Sequence, residues 1–595
     1  MNNKIQAASE LTQQKDSVKS ALWELRPIED RALITATQKT ELPEILARIM
    51  LARGMEIDEF DNFLSPTLKA SIPDPFSLLD MNKAAQRLAD AVEKGEEIAV
   101  FGDYDVDGAT SSALLKRYFR MLDNEPVIYI PDRIDEGYGP NTEALLYLKE
   151  HGIDICITVD CGTLSFEPLA AATAAGLEMI VVDHHLSAET LPDAYAIVNP
   201  NRLDETTDLK HLAAVGVSFM LCVAINSVLR QRGWFTDRKE PNLLSLLDIV
   251  ALGTVCDVVP LKGLNRAFVS QGLRVMRGRN NVGMTALADV AGLDDVPQTY
   301  HLGFALGPRI NAGGRVGKSD LGARLLSTDD VDEAYQIAGE LDKFNAERRA
   351  IESLVFETAL AQVENSDLEA PVIFAVGEGW HPGVVGIVAS RITERFNRPT
   401  AIITINNGIG KASARSVTGI DFGSAIVAAS QSGLLLAGGG HAMAAGFTVE
   451  KDKIDQLHQF LCERFSENID ECAIRKIKVD GYLSVDAATM EFAESLQMLE
   501  PYGTANPEPR FVFSDMFVIR ADIVGADHIK CILGSGRSGG VGKSIKAMAY
   551  RSLETPVGKA LLDSRGKTID IVGKLKINSW RGADTVEILI DDVAV

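Results

Sequence analysis

Asp103, Asp105 and Asp107 alternate in a run that ends at Gly108; Asp160-Cys161-Gly162, Asp183-His184-His185 and Asp257 follow further along the chain. The first three groups each come directly after a short apolar run, at residues 98–101, 155–159 and 179–182, and Asp257 ends a longer one. A β-branched run bounded by polar residues reads as a buried parallel strand. Carboxylates and an imidazole therefore stand at strand carboxyl ends, where open α/β sheets bind ligands. Hard oxygen donors mixed with imidazole suit Mn²⁺ or Mg²⁺, and two such ions side by side are a device for phosphoester hydrolysis. In the first motif, Gly108 is expected to allow a tight turn on which the alternate carboxylates converge. The pattern overlaps the start of a calcium-binding EF-hand loop, but position twelve, where that loop needs Glu, is Leu114.

The elements that must position these residues are legible around them. Apolar runs at 98–101, 127–130, 155–159 and 179–182 alternate with helical patterns at 111–122, 142–151 and 167–175. This is a βαβ series, hence a doubly wound, mostly parallel sheet. A largely helical stretch follows from 213 to 252. Residues 328–364 contain no Pro and a single Gly, Gly339, and Asp329, Asp330 and Asp332 crowd the start, as suits a helix amino end; a long helix joining two halves of the protein is expected. A second α/β unit opens at 372–376. After about residue 470, short alternating strands without intervening helices suggest a small β-barrel, with an OB-fold as the leading candidate.

Composition sets the limits. A chain of 595 residues with 46% hydrophobic and 24% charged residues is a globular protein of several domains. No apolar stretch approaches the roughly 20 residues that span a bilayer, so no membrane partner is expected. Seven cysteines without a C-x-x-C pair suit a reducing cytoplasm and offer neither a disulfide framework nor a zinc site. Cys156, Cys161 and Cys256 read as small buried hydrophobes beside the acidic motifs. A net charge of −24 taken alone argues against nucleic acid, yet a local basic groove can coexist with an acidic body.

These motifs carry a resemblance. With the runs at 252–261, Gly307-Pro308-Arg309-Ile310-Asn311-Ala312-Gly313-Gly314-Arg315, 439–446 and 501–509, the chain resembles the DHH phosphoesterase superfamily. Within it, the likeness is to the bacterial RecJ family of single-strand-specific 5′→3′ exonucleases. The resemblance covers residues 40–595. Residues 1–40 read as a loosely attached N-terminal arm; beyond them the resemblance implies an α/β multidomain fold with a DHH parallel-sheet domain (41–327), a connecting helix (328–366), a DHH-associated α/β domain (367–468) and a C-terminal OB-fold barrel (469–595). It also implies two Mn²⁺ or Mg²⁺ ions. Asp160 would bridge them, Asp103 and Asp105 would hold one, and Asp107, His184 and Asp257 the other. His185 would lie near the scissile phosphate, with Asp183 orienting the histidines. Attack would release 5′-mononucleotides.

Arg133, Arg309, Asn311 and Arg315 are DNA-binding candidates, the last three around an expected Asn-Ala-Gly-Gly turn that could grip phosphate. Ser413 and Arg415 resemble the family's pair for the 5′-terminal phosphate, and His381 and His441 lie in family motifs. In the barrel, Tyr550, Trp580, Arg581, Lys543 and Lys546 are candidates for holding single strand. The resemblance further implies single-strand-binding protein and a RecQ-type helicase as partners, and work in recombination and repair. A self-contained site makes a monomer reasonable. Two competing readings are a DHH phosphodiesterase for short oligonucleotides or cyclic dinucleotides and a non-enzymatic replication scaffold. The barrel speaks against the first, and the intact carboxylates against the second.

Overall fold

A computed structural model describes residues 17–133, 136–294, 296–467, 469, 472, 474–535, 543–580 and 583–595. The chain divides into two compact units. The first comprises residues 61–350 with 501–507; the second takes 1–60, 351–500 and 508–595.

The first unit is built on five parallel strands in the spatial order Val127–Tyr129, Ile98–Gly102, Ile155–Val159, Glu178–Val182 and Ala196–Val198. Side chains alternate between the two faces of this sheet. Val100, Ile157 and Val182 join one apolar cluster with Leu88, Leu114 and Val215. Phe101, Cys156 and Val181 join another with Leu145, Leu148 and Leu169. Both faces are covered by helices, which is why the strands read as unbroken apolar runs rather than alternating ones. Ala214–Gln231 is long and apolar enough to cross a membrane, but 78% of it is buried inside the protein. It belongs to the core cluster and is a core helix.

The second unit holds a five-stranded mixed sheet in the order Ala437–His441, Ala444–Glu450, Ile409–Arg415, Thr400–Asn406, Ile373–Glu378. It also holds a barrel of Phe511–Val524, His528–Ser535, Ser544–Ala549, Ala583–Ala594 and Thr568–Trp580, closed where the first of these strands pairs with the last. Register shifts at Val518/Arg520, Phe513/Met516 and Val572/Gly573 supply the bends that closure needs. The long helix is Val331–Glu364.

One expectation needs correcting. In the described part of residues 1–40 the chain is not a loose arm: Ala21–Leu25 pairs in parallel with Arg475–Val479, and Asp30–Thr40 is a helix. Trp23 is buried, and its indole N–H donates to Asp592 Oδ2 at 2.9 Å. The partner strand lies some 450 residues away, beyond the reach of local pattern reading.

Candidate metal centre and strand-binding residues

The order of the parallel strands reverses between Ile98–Gly102 and Ile155–Val159. At such a switch point the crossover helices leave on opposite faces and a crevice opens at the carboxyl ends. Asp103 follows the first of these strands and Asp160 the second. Asp183-His184-His185 follows the neighbouring strand Glu178–Val182. Asp257 arrives from another direction, as the residue capping helix Leu247–Cys256.

Close approach of backbones shapes the acidic loop. Helix Val106–Arg120 begins inside the motif, capped by Asp105, whose carboxylate accepts from the Asp107 and Gly108 amides at 2.8 and 3.2 Å. Gly108 is thus helical, not the expected tight turn. It must be glycine because a Cβ there would lie 2.4 Å from the Asp103 carbonyl oxygen. Asp107 accepts from Ala214 N at 2.6 Å and Val215 N at 2.9 Å, at the amino end of helix Ala214–Gln231, where the dipole favours a negative charge. Asp160 and Val258 both take left-handed backbone conformations, φ 60° and 61°. For a β-branched valine this is uncommon, and such strain tends to gather at functional sites.

Three donor sets, each with ligand atoms within 4.8 Å of one another, result: Asp103–Asp105–Asp160, Asp107–His184–Asp257 and Asp160–His184–His185. His184 Nε2 lies 3.2 Å from Asp160 Oδ1 and 3.9 Å from Asp107 Oδ2. Its Nδ1 faces the Leu212 carbonyl at 3.1 Å, which directs Nε2 toward the carboxylates as the free lone pair. Buried Asp103 Oδ1 and Asp257 Oδ2 have no hydrogen-bond partner. Unpaired buried carboxylate oxygens are costly unless a cation meets them, so the donor set fits hard divalent ions.

The electrostatics agree. Burial, then repulsion from Asp105, pushes the Asp103 carboxyl up to about 8 and that of Asp107 to about 7. Burial and Asp107 push Asp257 to about 9. Asp160 is raised well above the usual range by burial and by Asp105 and Asp107. Asp183 behaves oppositely: against the upward push of burial, hydrogen bonds from His185 and Thr163 hold it ionised. It accepts from the His184 and His185 amides at 2.7 and 3.1 Å and from His185 Nδ1 at 2.8 Å. Asp183 is therefore the group that orients this turn.

The sequence reading missed the supports on the far side of the turn. Asn199 Nδ2 donates to the His185 carbonyl at 2.8 Å and to Thr163 Oγ1 at 2.9 Å. Asn201 Nδ2 donates to the His184 carbonyl at 2.6 Å. Both follow the edge strand Ala196–Val198; an Asn-Pro-Asn run after a strand was the available signal. Asn199→Ala is expected to weaken Mn²⁺ affinity about 10- to 100-fold, the usual effect of losing a group that orients ligands. A Mn²⁺ titration of activity checks this, and an unchanged midpoint would remove Asn199 from the account.

Around the cluster sits a cationic and aromatic rim. Arg133 stacks over the Tyr104 ring at 4.8 Å, and Tyr138, half exposed, faces His185 Nε2 with its hydroxyl at 3.5 Å. Tyr104 lies inside the acidic motif and Tyr138 five residues after Arg133, and neither has a spacing that marks it in the sequence. The expected turn at Asn311–Gly314 is instead part of helix Gly307–Val316, so its amides are occupied in the helix. Gly314 there serves close packing: a Cβ would lie 2.8 Å from the Tyr104 carbonyl oxygen. This contact brings Arg315 next to the acidic loop. Burial, then Arg133 and Arg348, lower the Arg315 guanidinium to about 10. Arg309 is engaged elsewhere, donating to Asp342 at 2.9 Å and to the Ala305 carbonyl at 2.7 Å. Asn311 is half-buried on the same helix.

In the second unit, Ser413 and Arg415 lie on one face of strand Ile409–Arg415, with Arg415 Nη1 donating to Ser413 Oγ at 3.1 Å and to the Ala414 carbonyl at 2.8 Å. Burial alone lowers the Arg415 guanidinium, and among the described residues no carboxylate opposes it. His381 caps helix Pro382–Phe396, its Nδ1 accepting from Gly383 N at 3.1 Å. His441 is exposed at the end of Ala437–His441. In the barrel Tyr550 is exposed and Lys546 pairs in register with Glu587; Arg581 and the Trp580 side chain lie outside the described residues.

Comparison with known proteins follows the same division. Residues 97–254 match the DHH family N-terminal domain, 369–467 the DHHA1 domain and 479–592 the RecJ OB domain. The chain is 38% identical over 574 residues to the single-stranded-DNA-specific exonuclease RecJ of Escherichia coli, covering 94% of this chain and 97% of that one. It is 33% identical to the Bacillus subtilis protein of the same name, over 96% of this chain and 71% of the other. The crystal structure of RecJ in complex with Mn²⁺ from Thermus thermophilus superposes with a TM-score of 0.79 at 29% identity, over 96% of this chain and 79% of that one.

Proposed function

This chain belongs to the RecJ family of exonucleases, and we propose that it degrades single-stranded DNA from the 5′ end to 5′-mononucleotides, using two divalent ions. The observation that carries the reading is the pair of oxygen-rich donor sets at the switch point, with unpartnered oxygens on Asp103 and Asp257. Asp103, Asp105 and Asp160 would hold one Mn²⁺ or Mg²⁺, and Asp107, His184 and Asp257 the other, with Asp160 shared. Ions so bound supply a water acidic enough to ionise near neutral pH and offset charge building on the phosphate.

The chain's own groups do the rest. His185, its Nδ1 held by Asp183, directs Nε2 outward beside the Tyr138 hydroxyl, where it can donate to a phosphate oxygen. Arg133 and Arg315 add positive charge beside the acidic loop, which lets a chain of net charge −24 admit a polyanion. Ser413 and Arg415 are assigned the terminal phosphate. The barrel holds extended single strand, a use that a cyclic-dinucleotide phosphodiesterase would not have. Family membership supports service in DNA recombination and repair beside single-strand-binding protein and a RecQ-type helicase. Unpaired cysteines fit a cytoplasmic protein, and the self-contained donor sets fit a monomer. The domain limits given above, with the first segment now tied to Arg475–Val479, remain part of this proposal.

The test uses single-stranded and duplex DNA carrying a label at the 5′ or the 3′ end, with Mn²⁺ and with a chelator. Labelled mononucleotide is expected at once from the 5′-labelled single strand, and none after chelation. Early release from the 3′ label, or equal attack on blunt duplex, would contradict the reading.

A further inference from the structure

The helical segment that delivers Arg315 carries a feature the metal centre does not use. Tyr300 and Phe304, one helical turn apart, are 65% and 73% exposed, and their rings stack at 5.1 Å with an interplanar angle of 25°. Single exposed apolar residues are ordinary, but two large aromatics stacked on each other in water form a contiguous apolar surface. The backbone between them is also unusual. Leu302–Leu306 is a π-helical turn, directly before Pro308, which has no N–H to give to the Phe304 carbonyl. The Arg309 side chain donates to the Ala305 carbonyl at 2.7 Å, and the Cys256 thiol donates to Leu302 O at 3.4 Å. The turn is thereby pinned beside Asp257.

From Thr299 to Val316 the chain is continuously helical. Along it 300 and 304 are exposed, 301, 303, 305, 308, 309, 311, 315 and 316 are half-buried, and 302, 306, 307, 310 and 312–314 are buried. Steps of three and four residues place 300, 304, 308, 311 and 315 on one stripe. That stripe starts at the aromatic pair, passes Asn311 and ends at Arg315 beside the acidic loop. At 1.5 Å per residue, Phe304 lies about 16 Å from Arg315 along the axis.

We propose that Tyr300 and Phe304 form a stacking platform for bases of the single strand, a few nucleotides away from the metal centre on the same track as Asn311 and Arg315. This rests on the exonuclease reading and deepens it by adding a contact to bases on the unit that carries the metal centre, where the other assigned contacts are to phosphate. The occupant is a nucleobase rather than a protein side chain because the platform continues into the phosphate-binding stripe. Stacking takes any base, since each has a π face, so the platform adds affinity without sequence preference.

The test uses the full-length protein with Ca²⁺ in place of Mn²⁺, to permit binding without turnover, and fluorescence anisotropy with labelled trinucleotide and twenty-nucleotide DNA. Phe304→Ala is expected to weaken binding of the longer strand about tenfold, in the range measured for one lost base–aromatic stack. Trinucleotide binding should be unchanged. Phe304→Trp should restore the affinity, and a longer strand with an abasic tract should bind both proteins alike. Equal weakening at both lengths would mean a structural role and overturn the proposal. Unchanged binding at both lengths would overturn it too, leaving the surface to a protein partner. Mn²⁺-dependent degradation by the unaltered chain, measured in parallel, tests the exonuclease reading by itself.

Discussion

Asp160→Asn is expected to abolish strand degradation, by about a thousandfold or more, while making the metal-free protein more stable. The activity loss follows from position. Asp160 is common to two of the three donor sets, and its Oδ1 lies 3.2 Å from His184 Nε2. A neutral amide there cannot share charge between two cations, and loss of about 4 kcal/mol of transition-state stabilisation is a thousandfold in rate. Asparagine is the informative replacement, because it tolerates the left-handed backbone at φ 60° as well as aspartate does.

The stability gain follows from burial. Asp160 is raised by desolvation and then by the charges of Asp105 and Asp107, a cost that a neutral isostere of the same shape removes. The same reasoning gives a pH trend. Carboxyls held at about 8, 7 and 9 for Asp103, Asp107 and Asp257 lie above the unfolded value near ~4. Their neutral forms support folding fully below that value, and the support is lost as pH rises through the folded values. Added Mn²⁺ should therefore raise the melting temperature more at alkaline than at acidic pH. Calorimetry and single-turnover assays check both parts. A variant with a tenth of normal activity would exclude Asp160 from the centre, and a lowered metal-free melting temperature would refute the repulsion argument.

Arg415→Ala is expected to remove the preference for a 5′-phosphorylated strand. Arg415 is half-buried, with no carboxylate paired to it among the described residues, and is braced by Ser413 Oγ and the Ala414 carbonyl. Gly386 keeps the space beside it open, since a Cβ there would lie 2.9 Å from Ser413 Oγ and 3.2 Å from Arg415 Nη2. A half-buried cation without a counter-charge is costly, and an arriving phosphate would supply one. A charged hydrogen bond contributes about 1.5–3 kcal/mol, so KM for the 5′-phosphorylated strand should rise about 10- to 100-fold. A strand with a 5′-hydroxyl should be little affected. Arg415→Lys should recover only part, because an ammonium lacks the planar fork. Equal losses on both substrates would show that Arg415 supports the strand Ile409–Arg415 rather than the phosphate.

Much of the centre was readable in the sequence because its parts are local. Asp103, Asp160 and Asp183 each follow an apolar strand directly, and a parallel sheet carries such residues to one edge. The barrel, too, followed from short strands without helices between them. What stayed hidden depends on partners distant in the chain. Gly108 and Gly314 look like turn glycines, but both sit in helices and are required by backbones pressed against them. Arg309 resembled a phosphate ligand until Asp342 was placed beside it. Asn199 and Asn201 carry no motif of their own, and only the pairing of Ala196–Val198 with Glu178–Val182 brings them under the histidines. Ala21–Leu25 is too short to be placed by its own pattern, because its partner strand begins at Arg475.

The claim at the centre is that these strand ends hold two ions and share one carboxylate between them. Counting Mn²⁺ bound per chain by equilibrium dialysis, with electron paramagnetic resonance on the same samples, tests it most directly. Two ions per chain are predicted, magnetically coupled at a spacing of about 3.5–4 Å, with the coupling lost in Asp160→Asn. A single ion in the unaltered protein, or two uncoupled ions that Asp160→Asn leaves untouched, would contradict the account.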